Sequence, residues 1–227
     1  MGIQSSLRFG LLIGLLIVTG CSGILPSASP PLKRFALEYA PPSLSFEARQ
    51  DTPLDAALKV MRFSAVGMLN GRTMYYRLPG YEFGVYNYYL WIDNPADMIG
   101  DFLVRDLRQA GLFRAVFSHR NVEEARFRLE GGLLNFFEDD EKGVSVTELS
   151  ITLLDEGSAD LSRRIVFQRS YAASKPSGKS AEQMARALSE GVREISGRLL
   201  LDLRGAVGQR LAEDRRQSLT EAIDEGE

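Results

Sequence analysis

The sequence predicts an α/β fold: a mixed, largely antiparallel β-sheet flanked by two long amphipathic helices, with α+β as the alternative. Three observations carry that expectation. Successive runs rich in β-branched and aromatic residues are separated by turns bearing glycine, proline or aspartate. Several of those turns are short enough to close hairpins, which makes the joined strands antiparallel. Two further stretches place apolar residues at helical spacing behind recognisable N-caps.

The chain opens with a segment of another kind. Residues 9–18 are apolar apart from glycine, about ten in a row where a helix needs roughly 20 to cross a bilayer. Arg8 precedes them and the small residues Thr19 and Gly20 follow, the layout of a secretory signal peptide. Cys21, the only cysteine in 227 residues, stands directly behind. Alone it closes no internal disulfide, and metal sites ordinarily take several cysteines. Val18-Thr19-Gly20-Cys21 resembles the bacterial lipobox, whose cysteine is acylated and becomes the first residue once the signal is cut. More than one acyl chain anchors stably. Ser22 stands where an aspartate commonly retains lipoproteins at the inner membrane, so the resemblance points to the periplasmic face of the outer membrane. Residues 1–20 are thus expected to be a signal peptide, and 21–32, small, polar and proline-rich, a lipidated tether.

A single periplasmic domain is expected over 33–211. Its first strand is RFALEY, where Phe35, Leu37 and Tyr39 alternate with period two; AALKVMRFSAV, beyond a loop, is the second. TMYYRLPGYEFGVYNYYLW holds two strands joined at Leu78-Pro79-Gly80, where proline presets φ and glycine accepts a positive one. Asn94 then caps a helix, Pro95 takes its first position and Asp97 sits near its positive dipole end. Ile99, Phe102, Leu103, Leu107 and Ala110 form its apolar stripe, and Gly111 ends it.

LFRAVFS, RFRLEGGLLNFFE, GVSVTELSITLLDE and RRIVFQRSYAAS are further expected strands, the last three joined by the loops EDDEKG and EGSADLS. Ser180-Ala181-Glu182-Gln183 is a capping box for the second helix, with the Ser180 hydroxyl on the Gln183 amide and the Gln183 side chain reaching back. Met184, Leu188, Val192, Ile195, Leu199, Leu203 and Ala206 run down one face. From 212 to 227 the periodicity fails and acid accumulates, so this stretch reads as a disordered, solvated tail.

Composition narrows the function. The formal charge is −3, and −4 once Arg8, the only charged side chain of the first twenty, leaves with the signal peptide. Basic stripes with interleaved aromatics are missing, so nucleic acid is not an expected partner. Catalysis lacks parts: His119 is the only histidine, placed between a strand and a charged turn as a surface-loop residue is, and no G-x-S-x-G elbow occurs. Ser177-Gly178-Lys179-Ser180 imitates the end of a phosphate-binding loop, but Ala173 stands where that motif has its first glycine. Glu138-Asp139-Asp140-Glu141 lacks the alternation of a calcium loop and reads as a solvated hairpin tip. No catalytic residue, metal site or cofactor is expected.

The unusual stretch is the first hairpin. Six of the eight tyrosines (Tyr75, Tyr76, Tyr81, Tyr86, Tyr88 and Tyr89) and the only tryptophan, Trp91, fall within residues 75–91. Cross-strand aromatic pairs stabilise a sheet by roughly 0.2–1 kcal/mol each, which accounts for one face. On a regular strand Tyr86 and Tyr88 share one face, and Tyr89 and Trp91 the other. Either both are covered within the monomer, the favoured reading, or one docks a partner, since tyrosine and tryptophan are enriched at interface hot spots. Arg77, Tyr86, Tyr88 and Trp91 are the candidate partner-binding residues.

The succession of the lipobox, RFALEY, Tyr76-Arg77 with Tyr81 beyond, Tyr89-Leu90-Trp91 running into Pro95, and a helix ending in LRQAGLFRAV resembles the ABC-type transport auxiliary lipoproteins. The similarity covers residues 33–205 and is densest at 75–117. It implies a mixed sheet flanked by helices, like the N-terminal domain of the periplasmic Tol-system protein, and no enzymatic activity. It further implies an outer-membrane accessory of a mammalian-cell-entry-domain protein, an ABC permease and its ATPase, which together move phospholipids or other apolar molecules between membranes. The candidate residues would then dock that envelope-spanning protein or further copies of this chain. Two rival expectations are a periplasmic lipid-binding carrier and a structural lipoprotein of another envelope complex.

Overall fold

The computed structural model describes residues 30–43 and 52–224. Cys21 and most of the expected tether lie outside the described residues, as do 225–227. From Leu32 onward the chain forms one unit. Its main elements, with a 3-10 turn at Gly67–Leu69 and one helical turn at Leu161–Arg164 besides, are β1 (Lys33–Phe35), β2 (Leu54–Val60), β3 (Ser64–Ala65), β4 (Thr73–Arg77), β5 (Phe83–Trp91), α1 (Pro95–Ala110), β6 (Phe113–Ser118), β7 (Phe127–Asp139), β8 (Val144–Asp155), β9 (Ile165–Pro176) and α2 (Ala181–Asp224).

β7 organises the sheet. One of its edges pairs antiparallel with β8 from Phe127 to Asp139, and β8 pairs antiparallel with β9. The other edge is shared in succession by β2 at Phe127–Leu129, β3 at Gly132–Leu133 and β4 at Glu138–Asp139, all parallel. β6 adds parallel to β2, β5 antiparallel to β4, and β1 parallel to β5. The result is a mixed α/β architecture with a curled sheet, whose longest ladders are the antiparallel ones.

The second expected strand breaks in two. After Val60 the chain leaves the ladder so that Phe63 turns inward, where its ring occupies the space a Cβ on Gly131 would need, 2.2 Å away. Of RFALEY only Arg34 and Phe35 pair, yet its alternation persists, since Leu37 and Tyr39 are buried.

Both helices cover the same face of the sheet. Along β8, Ser145, Thr147, Leu149, Ile151 and Leu153 are buried in alternation with half-exposed neighbours. Gly191 of α2 lies against Thr147, a position where a Cβ would come within 2.8 Å of the hydroxyl. α1 reaches the same layer through Gly100, which faces Phe63. Ser196 of α2 donates to Asp106 of α1 at 2.7 Å and joins the two helices directly.

Helix ends follow their local chemistry. The Asn94 side chain accepts from the Ala96 amide at 2.9 Å, and Gly111 closes α1 in the left-handed region at φ 62°. The Ser180 hydroxyl accepts from the Gln183 amide and donates to Gln183 Oε1, both at 3.2 Å, so the reciprocal arm of the capping box ends on the hydroxyl. The expectation of two long helices is met by one: α1 has 16 residues and α2 has 44. α2 continues through Asp224, into the stretch expected to be a tail. An apolar stripe is not needed there. Good helix formers suffice, supported by Gln209 donating to Glu213 at 3.0 Å and by an ion pair from Asp214 back to Arg126. Among the described residues, no helix is long and apolar enough to cross a membrane.

Candidate functional site

The register between β4 and β7 builds the site. It sets Tyr76 opposite Glu138 and Arg77 opposite Asp139, and neighbouring positions on a strand point to opposite faces. Glu138 and its partner Ser145 therefore face the helix layer, while Arg77 and Asp139 face away from it.

β5 carries a large bulge opposite β4. The pairs Thr73–Leu90 and Tyr75–Val85 leave four residues of β5, 86–89, facing the single residue Met74. Regular alternation would separate Tyr86 from Tyr89; the bulge brings their rings to 5.9 Å. Tyr76 packs against Tyr86 at 5.2 Å, and Tyr89 against Phe35 at 5.9 Å. Gly84 is required here, since a Cβ would lie 2.2 Å from the Tyr76 ring.

These rings wall a cleft of about 370 Å³, lined also by Val85, Asn87, Tyr88, Glu138, Asp140 and Lys179. Glu138 is 6% exposed. It accepts from the Tyr86 hydroxyl at 2.6 Å and from Ser177 Oγ at 2.8 Å, and Ser145 donates to Ser177 behind it. Burial, then the bond to Glu138, push the Tyr86 hydroxyl above its ordinary value, so it remains a donor. Lys179 enters the cleft from the turn before α2, where Ser180 is committed to its cap.

The opposite face of the hairpin is apolar and open. Phe83 stacks edgewise on Phe137 at 5.3 Å, and the Arg77 guanidinium lies 5.2 Å over the same ring. Arg77 also pairs with buried Asp139, which accepts from the Lys142 amide at 3.3 Å. Burial raises the Asp139 carboxyl, but Arg77 and Lys142 outweigh it and hold the group below the usual carboxylate range. Phe83 is about two-fifths exposed and Tyr81 at the turn fully so, while Val85 and Tyr88, exposed to the same degree as Phe83, line the cleft.

Of the four sequence-predicted partner residues, the structure leaves three near the surface. Trp91 is corrected: at 1% exposure it belongs to the core, stacked on Phe136 at 5.2 Å. Tyr86 is half-buried in the cleft, Tyr88 is exposed, and Arg77 is engaged by Asp139 and Phe137. Glu138 and Asp139 are corrected too, from solvated tip to buried strand. The signal was available in β8. Its alternation begins at Val144, behind Gly143 at φ 63°, so a tight turn must pair it back to Asp139. Phe83 and Val85 carried no comparable signal.

Comparisons with known proteins agree on the fold. A Xanthomonas campestris protein of the DUF330 family superposes with a TM-score of 0.67 at 20% identity, covering 80% of this chain and 99% of that one. An uncharacterized protein superposes with a TM-score of 0.60 at 14% identity, covering 77% and 99%. No curated protein sequence matches the chain. The family model described as "ABC-type transport auxiliary lipoprotein component" matches residues 35–199, from the end of β1 well into α2. On that match, which spans the sheet, α1 and the tyrosine hairpin, the chain belongs to the ABC-type transport auxiliary lipoprotein family.

Proposed function

We propose that this chain is a non-enzymatic outer-membrane lipoprotein that docks the periplasm-spanning part of an intermembrane lipid transport system. Acyl chains on Cys21 hold it at the periplasmic face, and its partners are a mammalian-cell-entry-domain protein with an ABC permease and ATPase. Family membership supports association with an ABC transporter. The observation that carries the docking role is the outer face of the hairpin. There Tyr81 and Phe83 expose apolar surface beside a free strand edge. Among the described residues, β1 pairs with β5 only from Tyr89 to Trp91, so Phe83–Tyr88 offers unpaired backbone groups to an incoming segment.

Confinement to the membrane surface raises the effective concentration of such a patch without new contacts. The test is affinity purification of the full-length acylated protein from its own envelope, with mass spectrometry of proteins and lipids. The native chain should bring down a mammalian-cell-entry-domain protein and ABC subunits, and a Tyr81→Ala/Phe83→Glu variant should lose them. An intact complex in that variant removes the hairpin as the docking face. Phospholipid without a protein partner would favour a carrier, and subunits of a different envelope machine a structural role.

A further inference from the structure

The hairpin's inner cleft has a chemistry that docking through its outer face does not use. Its walls are tyrosine rings: Tyr76 and Tyr86 meet at 5.2 Å and 66°, Tyr86 and Tyr89 at 5.9 Å and 64°, with Tyr88 alongside. Inclined rings of this kind present π-faces in more than one direction. Glu138 lies against them, 6% exposed, and both its oxygens are held by neutral hydroxyls, Tyr86 and Ser177. Among the described residues it has no cationic partner within ion-pair distance, unlike the buried Asp139 and Asp155, which face arginines. A carboxylate taken out of water beside a cleft, with hydroxyls but no cation, leaves favourable electrostatic potential for a positive group. Tyrosine faces attract cations for the same electrostatic reason. Asp140 adds a second carboxylate to the lining, and Lys179 the only cationic side chain.

We propose that the cleft between Tyr76, Tyr86, Tyr88, Tyr89 and Glu138 binds an organic ammonium group, seated on the tyrosine faces beside the Glu138 carboxylate. Lys179 takes an anionic group carried by the same molecule. The cleft volume of about 370 Å³ falls at the small end of ligand sites, and suits a headgroup-sized zwitterion better than a whole lipid. Tyr86 does two things: its ring forms a wall, and its hydroxyl fixes the Glu138 carboxylate. Ser177 holds the other oxygen from behind, so the site is preorganised from both sides of the carboxylate.

Saturation-transfer NMR on the full-length chain in a maltoside detergent reads this directly, with choline chloride and phosphocholine as probes and sodium chloride as the ionic control. Saturable choline binding is expected, displaced by tetramethylammonium. Glu138→Gln should weaken it by roughly tenfold, the loss of one charge-assisted contact. Tyr88→Ala removes an exposed ring, leaves the fold intact and should weaken both probes, so the site remains testable even if Glu138→Gln fails to fold. Lys179→Ala should weaken phosphocholine and leave choline unchanged. No saturable binding of either probe to the native chain, or undiminished binding in the Glu138 and Tyr88 variants, overturns the proposal. Phosphatidylcholine vesicles that displace choline, where phosphatidylglycerol vesicles do not, identify the source as a lipid headgroup. Displacement by neither identifies a free solute, and both results uphold the ammonium site. Loss of a protein partner in the purification above leaves this binding untouched, so the two readings fail separately.

Discussion

A carboxylate with 1% exposure, as Asp106 has, must be matched by donors that follow it out of water. Tyr39 supplies a hydroxyl at 2.9 Å, Ser196 another at 2.7 Å, and Arg105 its Nε and Nη2 at 2.9 and 2.7 Å. The Arg105 guanidinium lies over two rings that pack on each other at 5.0 Å, 4.6 Å from Tyr39 and 4.3 Å from Phe102. Burial and the neighbouring carboxylate push the Tyr39 hydroxyl far above its ordinary value, so it donates at any ordinary pH. One side chain thereby ties the segment after β1, α1 and α2 to a single point. Asp106→Ala leaves the buried Tyr39 and Ser196 hydroxyls without their acceptor, and should cost about 2–4 kcal/mol, at about 1–3 kcal/mol for each unsatisfied group. Urea unfolding measures it; a loss below about 1 kcal/mol would mean that water replaces the carboxylate. Asp106 could not be singled out in the sequence, because its hydroxyl donors lie 67 and 90 residues away. Trp91 misled for a related reason: tryptophan suits a core as well as an interface, and only the distant Phe136 decides between them.

Strand–strand fit is controlled by glycines where another ring lies flat on the backbone. Phe63 covers Gly131 so closely that a Cβ would meet its ring carbons at 2.2–2.4 Å. Gly131→Ala must therefore expel the ring, at about 1–3 kcal/mol for overpacking. Phe63→Ala alone should cost about 3–5 kcal/mol. The double variant should cost clearly less than both together, because the added methyl then fills vacated space; additivity within about 0.5 kcal/mol would show that the two do not touch. Such contacts mark the limit of what the sequence discloses. Asn94, Gly111, Ser180, Gly80 and both apolar stripes act through neighbours within a few residues, and are legible in the sequence. The parallel pairing of β2, β3 and β4 with β7, the break after Val60 and the bulge at 86–89 depend on partners far along the chain. The cleft depends on that bulge, so its tyrosines were visible as a cluster but not as walls. Glu138 was legible only through the register of β8.

The folded unit is closed by carboxylates that bridge its layers, and this sets its response to acid. Asp155, 1% exposed, accepts from Arg126 at 2.9 and 2.8 Å and from Arg210 at 3.1 Å, so it pins the start of β7 and the end of β8 to α2. Asp202 of α2 accepts from Tyr171 at 2.6 Å and pairs with Arg169 at 2.8 Å, pinning β9. Asp139 holds the hairpin through Arg77. In all three, burial raises the carboxyl, but hydrogen bonds and cations outweigh it and leave the group below its ordinary value. A depressed folded value means that the unfolded chain binds protons first as pH falls. The stabilisation is complete above the ordinary aspartate range near 3.9, and is lost as pH drops through it toward the lower folded values. Urea midpoints should therefore hold steady from neutrality to about pH 5, then fall steeply. Asp155→Asn should lower the midpoint at neutral pH and flatten the acid limb, since one depressed group is gone. Asp97 is also depressed, by the hydrogen bond from Arg62, but that arginine is two-thirds exposed and solvent screens the pair. Asp97→Asn should accordingly change both limbs little. If it flattened the profile as much as Asp155→Asn, the acid response would belong to the surface charge and not to the bridges between sheet and helix.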